Sequence, residues 1–92
     1  MSTVKFRLVA TLASIVGKDQ VEVEADTVQE ALTRLSDSQG QRLQFLLFAD
    51  AGKLNPRVRV YVNNKDIRFL DKLETTLQDG DTLLVLPAVS GG

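Results

Sequence analysis

Residues 4–12 alternate between apolar and polar side chains, except that Val9 is apolar at one of the polar positions. The apolar positions recur with a period of two: Val4, Phe6, Leu8, Ala10 and Leu12. This alternation predicts a strand with one buried face. A turn containing Gly17 follows, and residues 21–25 alternate in the same way. The two segments are therefore predicted to pair as a hairpin.

After residue 25 the apolar period changes to that of a helix. Thr27 and Glu30 match a capping box, in which each side chain bonds a free backbone amide at the start of a helix. The following apolar residues form one stripe at helical spacing: Val28, Ala31, Leu32 and Leu35. Gly40 is the predicted C-terminal cap. We therefore expect one main helix, long enough to cross one face of a sheet.

The second half of the chain contains shorter elements. Residues 41–54 fit either a short second helix or a buried connection, with a turn at residues 50–52, and residues 57–63 are predicted to form a strand. Apolar residues of the next segment are expected to anchor it to the core: Ile67, Phe69, Leu70 and Leu73. A tight turn at Asp79-Gly80-Asp81 precedes the last strand, which the main helix would allow to pair parallel to the first.

This order of elements predicts an α+β roll, a mixed four- to five-stranded sheet packed on one main helix. The last strand is apolar on both faces, and a single helix covers only one face of the sheet. We therefore expect Leu84 and Leu86, together with Val9, to form an exposed patch that binds a partner protein. The alternative is that these are ordinary surface leucines that need no explanation.

Composition excludes several functions. The chain has no Cys and no His, so it lacks thiolate nucleophiles, the usual general base and the commonest metal ligands. We expect no metal site and no enzyme activity of its own. A net charge of −1 argues against non-specific nucleic-acid binding. Neither a membrane-spanning run nor a signal peptide is recognisable, so we expect a cytoplasmic protein that binds no membrane.

The sequence ends in Ser90-Gly91-Gly92, shortly after Pro87. Glycine lacks Cβ, so such a tail enters channels that any side chain would block. We expect residues 1–89 to form the domain and residues 90–92 a flexible tail that delivers the carboxylate of Gly92 into another protein's active site. A frayed end or an engineered remnant is the alternative interpretation.

Four motifs follow one another closely in the second half of the chain: Val60-Tyr61-Val62-Asn63, Asp66-Ile67-Arg68-Phe69-Leu70, Leu77-Gln78-Asp79-Gly80-Asp81 and Leu86-Pro87-Ala88-Val89-Ser90-Gly91-Gly92. Together they resemble one known family, the ubiquitin-like sulfur carriers. Its branches are the molybdopterin synthase small subunits, the thiamine-pathway carrier and a cysteine-pathway carrier. The most specific part is the last third, an Asp-Gly-Asp turn, an apolar strand and a Pro-x-Val-x-Gly-Gly ending.

The resemblance implies a ubiquitin-like β-grasp fold and a carrier cycle. A ubiquitin-activating-like enzyme adenylates Gly92, and sulfur from a persulfide then displaces AMP to leave a thiocarboxylate. The enzyme consumes the ATP, and the carrier itself binds no cofactor. Ser90 and Gly91 form the tail in this scheme. The implied partner contacts are Val9, Leu84, Leu86 and Pro87.

Among the branches of the family, the molybdopterin synthase small subunits form the largest, and we therefore favour this branch. Such a subunit acts with the large subunit in molybdenum cofactor biosynthesis. Sulfur transfer for cysteine biosynthesis or tRNA thiolation is the first alternative. A ubiquitin-like modifier that forms isopeptide bonds through Gly92 is the second. A β-grasp interaction module with an incidental tail is the third.

Overall fold

A computed structural model describes residues 1–50 and 53–86 of the chain, without the side chains of residues 49 and 50. Within these residues, five strands form one mixed sheet in the order β2-β1-β7-β5-β6. The strands are β1 Ser2–Leu8, β2 Gln20–Ala25, β5 Arg59–Val62, β6 Lys65–Asp66 and β7 Thr82–Leu86. The middle strand β7 pairs parallel to β1 and antiparallel to β5. The predicted mixed sheet and the predicted parallel pairing are both confirmed.

Three helices accompany the sheet: α1 Ala10–Val16, α2 Val28–Gln39 and α3 Gln41–Leu47. Two short strands, β3 Phe48–Asp50 and β4 Lys53–Leu54, form a separate pair, and two 3₁₀ turns cover Ile67–Phe69 and Lys72–Glu74. The main helix is α2, as predicted, and its apolar stripe is buried. Of the helices described, none combines the length and the apolar character needed to cross a bilayer.

The predicted capping signals of α2 are both present. The Thr27 hydroxyl accepts a hydrogen bond from the Glu30 N–H at 3.2 Å, and Glu30 Oε1 accepts one from the Asp26 N–H at 3.0 Å. Gly40 ends the helix with a φ of +97°, a conformation that favours glycine. Local sequence signals therefore determine both ends of this helix.

The hydrophobic core lies between the sheet and the helices. The strands contribute their inward-facing residues: Val4, Phe6, Leu8, Ala25, Val60, Val62, Leu83 and Val85. The helices contribute Leu12, Val28, Ala31, Leu32, Leu35, Leu43 and Leu47. The sheet has its other face free of the helices, and that face carries the polar residues that alternate with the core positions of β1.

The first strand was predicted to reach Leu12, but β1 ends at Leu8. The prediction of strand and turn for residues 10–16 is wrong, because α1 occupies them. Ala10 takes a left-handed φ of +53°, which turns the chain out of the sheet. Leu12 is fully buried, and a period of two and a helical period both predict a buried residue at this position. Gly17, at φ +83°, closes α1 by donating its N–H to the Ala13 carbonyl at 2.8 Å.

The strand predicted for residues 57–63 is shorter, since β5 begins at Arg59. A turn at Asn55 precedes it: its side-chain oxygen accepts from the Arg57 N–H, and its carbonyl accepts from the Val58 N–H, both at 3.0 Å. Residues 41–47 form the short helix that was one of the two predicted alternatives. The turn predicted for residues 50–52 falls partly outside the described residues.

Candidate functional site

The site predicted from the sequence combines a tail with a surface patch. The tail residues Pro87, Ser90, Gly91 and Gly92 lie outside the described residues, so their roles stay predictions. The described part contains β7, the strand that leads directly to them, and the residues around it. The geometry of the site is therefore the geometry of β7 and its neighbours.

The start of β7 is joined to β1 through the Asp79-Gly80-Asp81 turn. The Thr3 N–H donates to Asp79 Oδ1 at 2.7 Å, and the Gly80 N–H donates back to the Thr3 carbonyl at 2.9 Å. The Lys5 N–H then donates to the Asp81 carbonyl at 3.0 Å. Gly80 has a φ of +86°, a left-handed conformation that most side chains disfavour. The turn predicted from the sequence thus fixes where β7 begins.

The Asp81 carboxylate joins the same turn to the end of β5. Its Oδ2 accepts from the Gln78 N–H at 2.9 Å, and its Oδ1 accepts from the Asn63 side-chain amide at 2.9 Å. The Asn63 amide oxygen in turn accepts from the Thr82 N–H at 3.0 Å. Side-chain hydrogen bonds therefore connect the start of β7 to both of its neighbouring strands, β1 and β5.

Further along β7, side chains alternate between the core and the free face of the sheet. Leu83 and Val85 are buried, whereas Leu84 and Leu86 are half-buried on the opposite face. The β1–β7 ladder ends at the pair of Leu8 with Val85, so Val9 and Leu86 are the residues that follow the two strands' last pair. Val9 is 37% exposed. We call Val9, Leu84 and Leu86 the open-face patch.

Cationic side chains flank the open-face patch on both neighbouring strands. In the register of the sheet, Leu84 lies between Arg7 on β1 and Tyr61 on β5, and Leu86 lies opposite Arg59. Among the described residues, neither Arg7 nor Arg59 forms an ion pair. The patch therefore has an apolar centre with a positive charge on either side.

A surface groove continues from this patch toward the edge of the sheet, and the sequence analysis did not identify it. We call it the Phe69 groove. It is lined by Arg59, Tyr61, Asn64, Lys65, Asp66, Arg68, Phe69 and Leu70. The predicted core position of Phe69 is wrong, because its side chain is 84% exposed. Ile67, Leu70 and Leu73 recur every three residues, which suits a segment of 3₁₀ turns and leaves Phe69 outside the stripe. That spacing was the signal in the sequence from which the exposure of Phe69 could have been predicted.

One ion pair shapes the wall of the groove. Asp66 Oδ2 accepts from Arg68 Nη2 at 2.9 Å and from Nε at 3.1 Å, while Oδ1 accepts from the Arg68 N–H at 2.9 Å. The Asp66 side chain is only 8% exposed. These hydrogen bonds from Arg68 lower the pKa of Asp66, and the same contact raises the pKa of Arg68. The pair therefore stays ionised and holds the turn after β6.

The chemistry available at this face is that of docking. In the part of the chain that the structure describes, no three acidic side chains are grouped to hold a metal ion. The face offers apolar surface and exposed cationic side chains close to the start of the tail. Such a surface recognises another protein by shape and charge.

Comparison with known proteins gives consistent results. The model of the ThiS family matches residues 6–92. The sulfur carrier protein CysO of Mycobacterium tuberculosis is 35% identical over 77 residues, which are 83% of each chain.

Two solved structures are similar over nearly their whole length. Small archaeal modifier protein 1 from Methanosarcina acetivorans matches with a TM-score of 0.91 and 31% identity, covering 100% of this chain and 98% of that one. A chain of the BexX/CysO complex from Amycolatopsis orientalis matches with a TM-score of 0.81 and 34% identity, covering 97% and 99%. The predicted ubiquitin-like β-grasp fold is thereby confirmed.

Proposed function

The chain belongs to the ThiS family of ubiquitin-like sulfur carriers, and on this basis we propose that it carries sulfur as a thiocarboxylate on Gly92. The observation that carries the proposal is the position of the open-face patch. Leu84 and Leu86 stand on the strand that runs directly into the Pro-x-Val-x-Gly-Gly tail. An enzyme that binds this face has the tail within reach of its active site.

The proposed cycle needs no acid, base or metal ligand from this chain. The Gly92 carboxylate attacks ATP, releasing pyrophosphate and forming an acyl-adenylate. A persulfide sulfur of a partner then attacks the acyl carbon and AMP leaves, giving an acyl disulfide. A further thiol attacks the disulfide, which releases the thiocarboxylate and forms a new disulfide between the two thiol sulfurs. The requirement for ATP favours the cytoplasm as the location of this cycle.

In this scheme the domain positions the tail. Gly91 has no side chain, so the segment next to the reacting carbonyl is narrow enough to enter an active-site channel. The open-face patch docks first on the adenylating enzyme and then on the sulfur acceptor. The similarity to a carrier chain solved in the BexX/CysO complex supports docking of this fold on a second protein.

The acceptor that we propose first is the large subunit of molybdopterin synthase, because the molybdopterin branch is the largest branch of the family that the sequence resembles. Acceptors for cysteine biosynthesis and for tRNA thiolation are the alternatives. Protein modification is a second candidate function, supported by the full-length similarity to small archaeal modifier protein 1. It would give isopeptide remnants of Gly92 on lysines of other proteins, which peptide mass spectrometry detects.

The proposed function is tested by weighing the intact protein. We expect incubation with ATP, the host's adenylating enzyme and a persulfide donor to add about 16 Da, the replacement of one oxygen by sulfur. Deletion of Gly92 should abolish the gain and leave the unfolding curve unchanged. If the wild-type protein gains no such mass with any adenylating enzyme of the host, the proposal is wrong.

The acceptor is identified by discharge of the same species. The thiocarboxylated protein is mixed separately with each purified acceptor and its substrate, and its mass is followed. We expect the added mass to be lost only with the true acceptor. Loss with a cysteine-pathway enzyme or a tRNA thiolation enzyme, and not with the molybdopterin synthase large subunit, would contradict our first choice.

A further inference from the structure

We propose that the Phe69 groove is a second contact for the adenylating enzyme, and that it takes an acidic segment in which a carboxylate neighbours an apolar side chain. This inference rests on the proposed function, because it assumes an enzyme that takes up the tail. It adds to the open-face patch a site made of different residues, on strand β5 and the turn that follows β6. The argument depends on position, on exposure and on charge.

The groove is continuous with the open-face patch. Leu84 pairs with Tyr61, and Leu86 pairs with Arg59, in the β5–β7 ladder. Tyr61 and Arg59 are also two of the residues that line the groove. An enzyme that covers the end of β7 to receive the tail therefore lies close to Tyr61 and Arg59, which form one wall of the groove.

Phe69 gives the groove its apolar binding surface. Its side chain is 84% exposed, although the turn that carries it is well fixed. The Leu70 N–H donates to the Ile67 carbonyl at 3.0 Å, and Asp66 caps the turn at the Arg68 N–H. A partner that buries this side chain gains binding free energy from the hydrophobic effect. Because the turn is already ordered, little of that gain is lost to fixing the backbone.

The charges around Phe69 select an acidic partner. Arg59, Lys65 and Arg68 line the groove with one carboxylate, Asp66, which leaves it a net charge of +2. The whole chain has a net charge of −1, so this surface opposes the overall charge of the protein. Arg68 is engaged by Asp66, whereas Arg59 has no ion pair among the described residues. Arg59 is therefore the side chain that we expect to bind the partner's carboxylate.

The chain contains matched controls for both side chains. Phe45 is 77% exposed, like Phe69, but it lies on α3, among the helices and away from the free face of the sheet. Arg57 is exposed, like Arg59, but it precedes β5 and is not part of the groove. Each control removes the same chemical group from a position that the proposed interface does not include.

The experiment measures the initial rate of thiocarboxylation against carrier concentration with the purified adenylating enzyme. We expect Phe69→Ala and Arg59→Glu each to raise KM about tenfold or more with little change in kcat, as for residues at the centre of an interface. Phe45→Ala and Arg57→Glu should stay within about twofold of the wild type. The wild-type KM should also rise with salt more steeply than that of Arg59→Glu.

The outcomes separate this inference from the proposed function. If the wild type is thiocarboxylated and the groove variants match the two controls, the groove proposal is wrong while the carrier function stands. If the variants are impaired only in the transfer of sulfur to the acceptor, the groove does not bind the adenylating enzyme and the proposal is wrong. If the wild type itself gains no sulfur, the proposed function fails and the inference falls with it. Unchanged urea unfolding of each variant shows that any effect on KM comes from the surface.

Discussion

The two ends of β7 differ in what holds them. At its start, the Asp79-Gly80-Asp81 turn is bonded to β1 and to Asn63 through both backbone and side chains. At its end, Leu84 and Leu86 lie half-buried between arginines that have no ion pair among the described residues. Polar contacts within the chain fix one end, whereas the other end exposes groups that suit contacts with another protein. One short strand can thus serve stability and recognition with separate residues.

The largest expected effect distinguishes the two faces of β7. Leu83→Ala leaves a cavity in the core, so we expect it to lower the free energy of unfolding by about 2–5 kcal/mol. Leu84→Ala removes a half-buried side chain and should cost about 1 kcal/mol or less. Urea denaturation measures both. Equal losses would contradict the position of Leu84 on the free face of the sheet.

A smaller effect is expected at the start of β7. Asp81→Ala removes the acceptor of two hydrogen bonds, from Gln78 and Asn63, and should cost about 1–2 kcal/mol of stability. The KM for thiocarboxylation should not change, because the residue lies at the opposite end of the strand. Asp81→Asn keeps one acceptor oxygen and should lose less. Thermal unfolding compares the two variants, and a raised KM for Asp81→Ala would contradict the separation of the two ends.

The smallest effect concerns the groove and depends on pH. Hydrogen bonds from Arg68 lower the pKa of Asp66 in the folded protein. Its carboxylate therefore stabilises the fold fully above its unfolded pKa of about 4, and this contribution is lost as the pH falls through the lower, folded value. We expect Asp66→Asn to be less stable than the wild type at pH 7 and the difference to shrink below pH 4, about the unfolded pKa. Urea midpoints across this range test it, and a constant difference would contradict the role of ionisation.

Short-range signals accounted for the parts of the fold that were predicted correctly. Thr27 and Glu30 lie three residues apart, so the start of α2 can be read from the sequence. The outward position of Leu84, which is half-buried in the structure, followed from a strand that is apolar on both faces beside a helix that covers only one. Leu12 misled the prediction because it suits a strand and a helix equally. The Phe69 groove could not be found in the same way, because its residues come together only when β6 pairs with β5 and the 3₁₀ turn after β6 folds back beside β5.

The position of β7 has a consequence for the making of the protein. It lies in the middle of the sheet, yet it is the last of the five strands along the chain. On the ribosome, β1 with β2 and β5 with β6 emerge as two antiparallel pairs that share no edge until β7 is inserted between them. Such long-range pairing slows folding. The domain therefore closes only when synthesis has reached the residues next to the tail, and a prematurely terminated chain offers partners no assembled sheet.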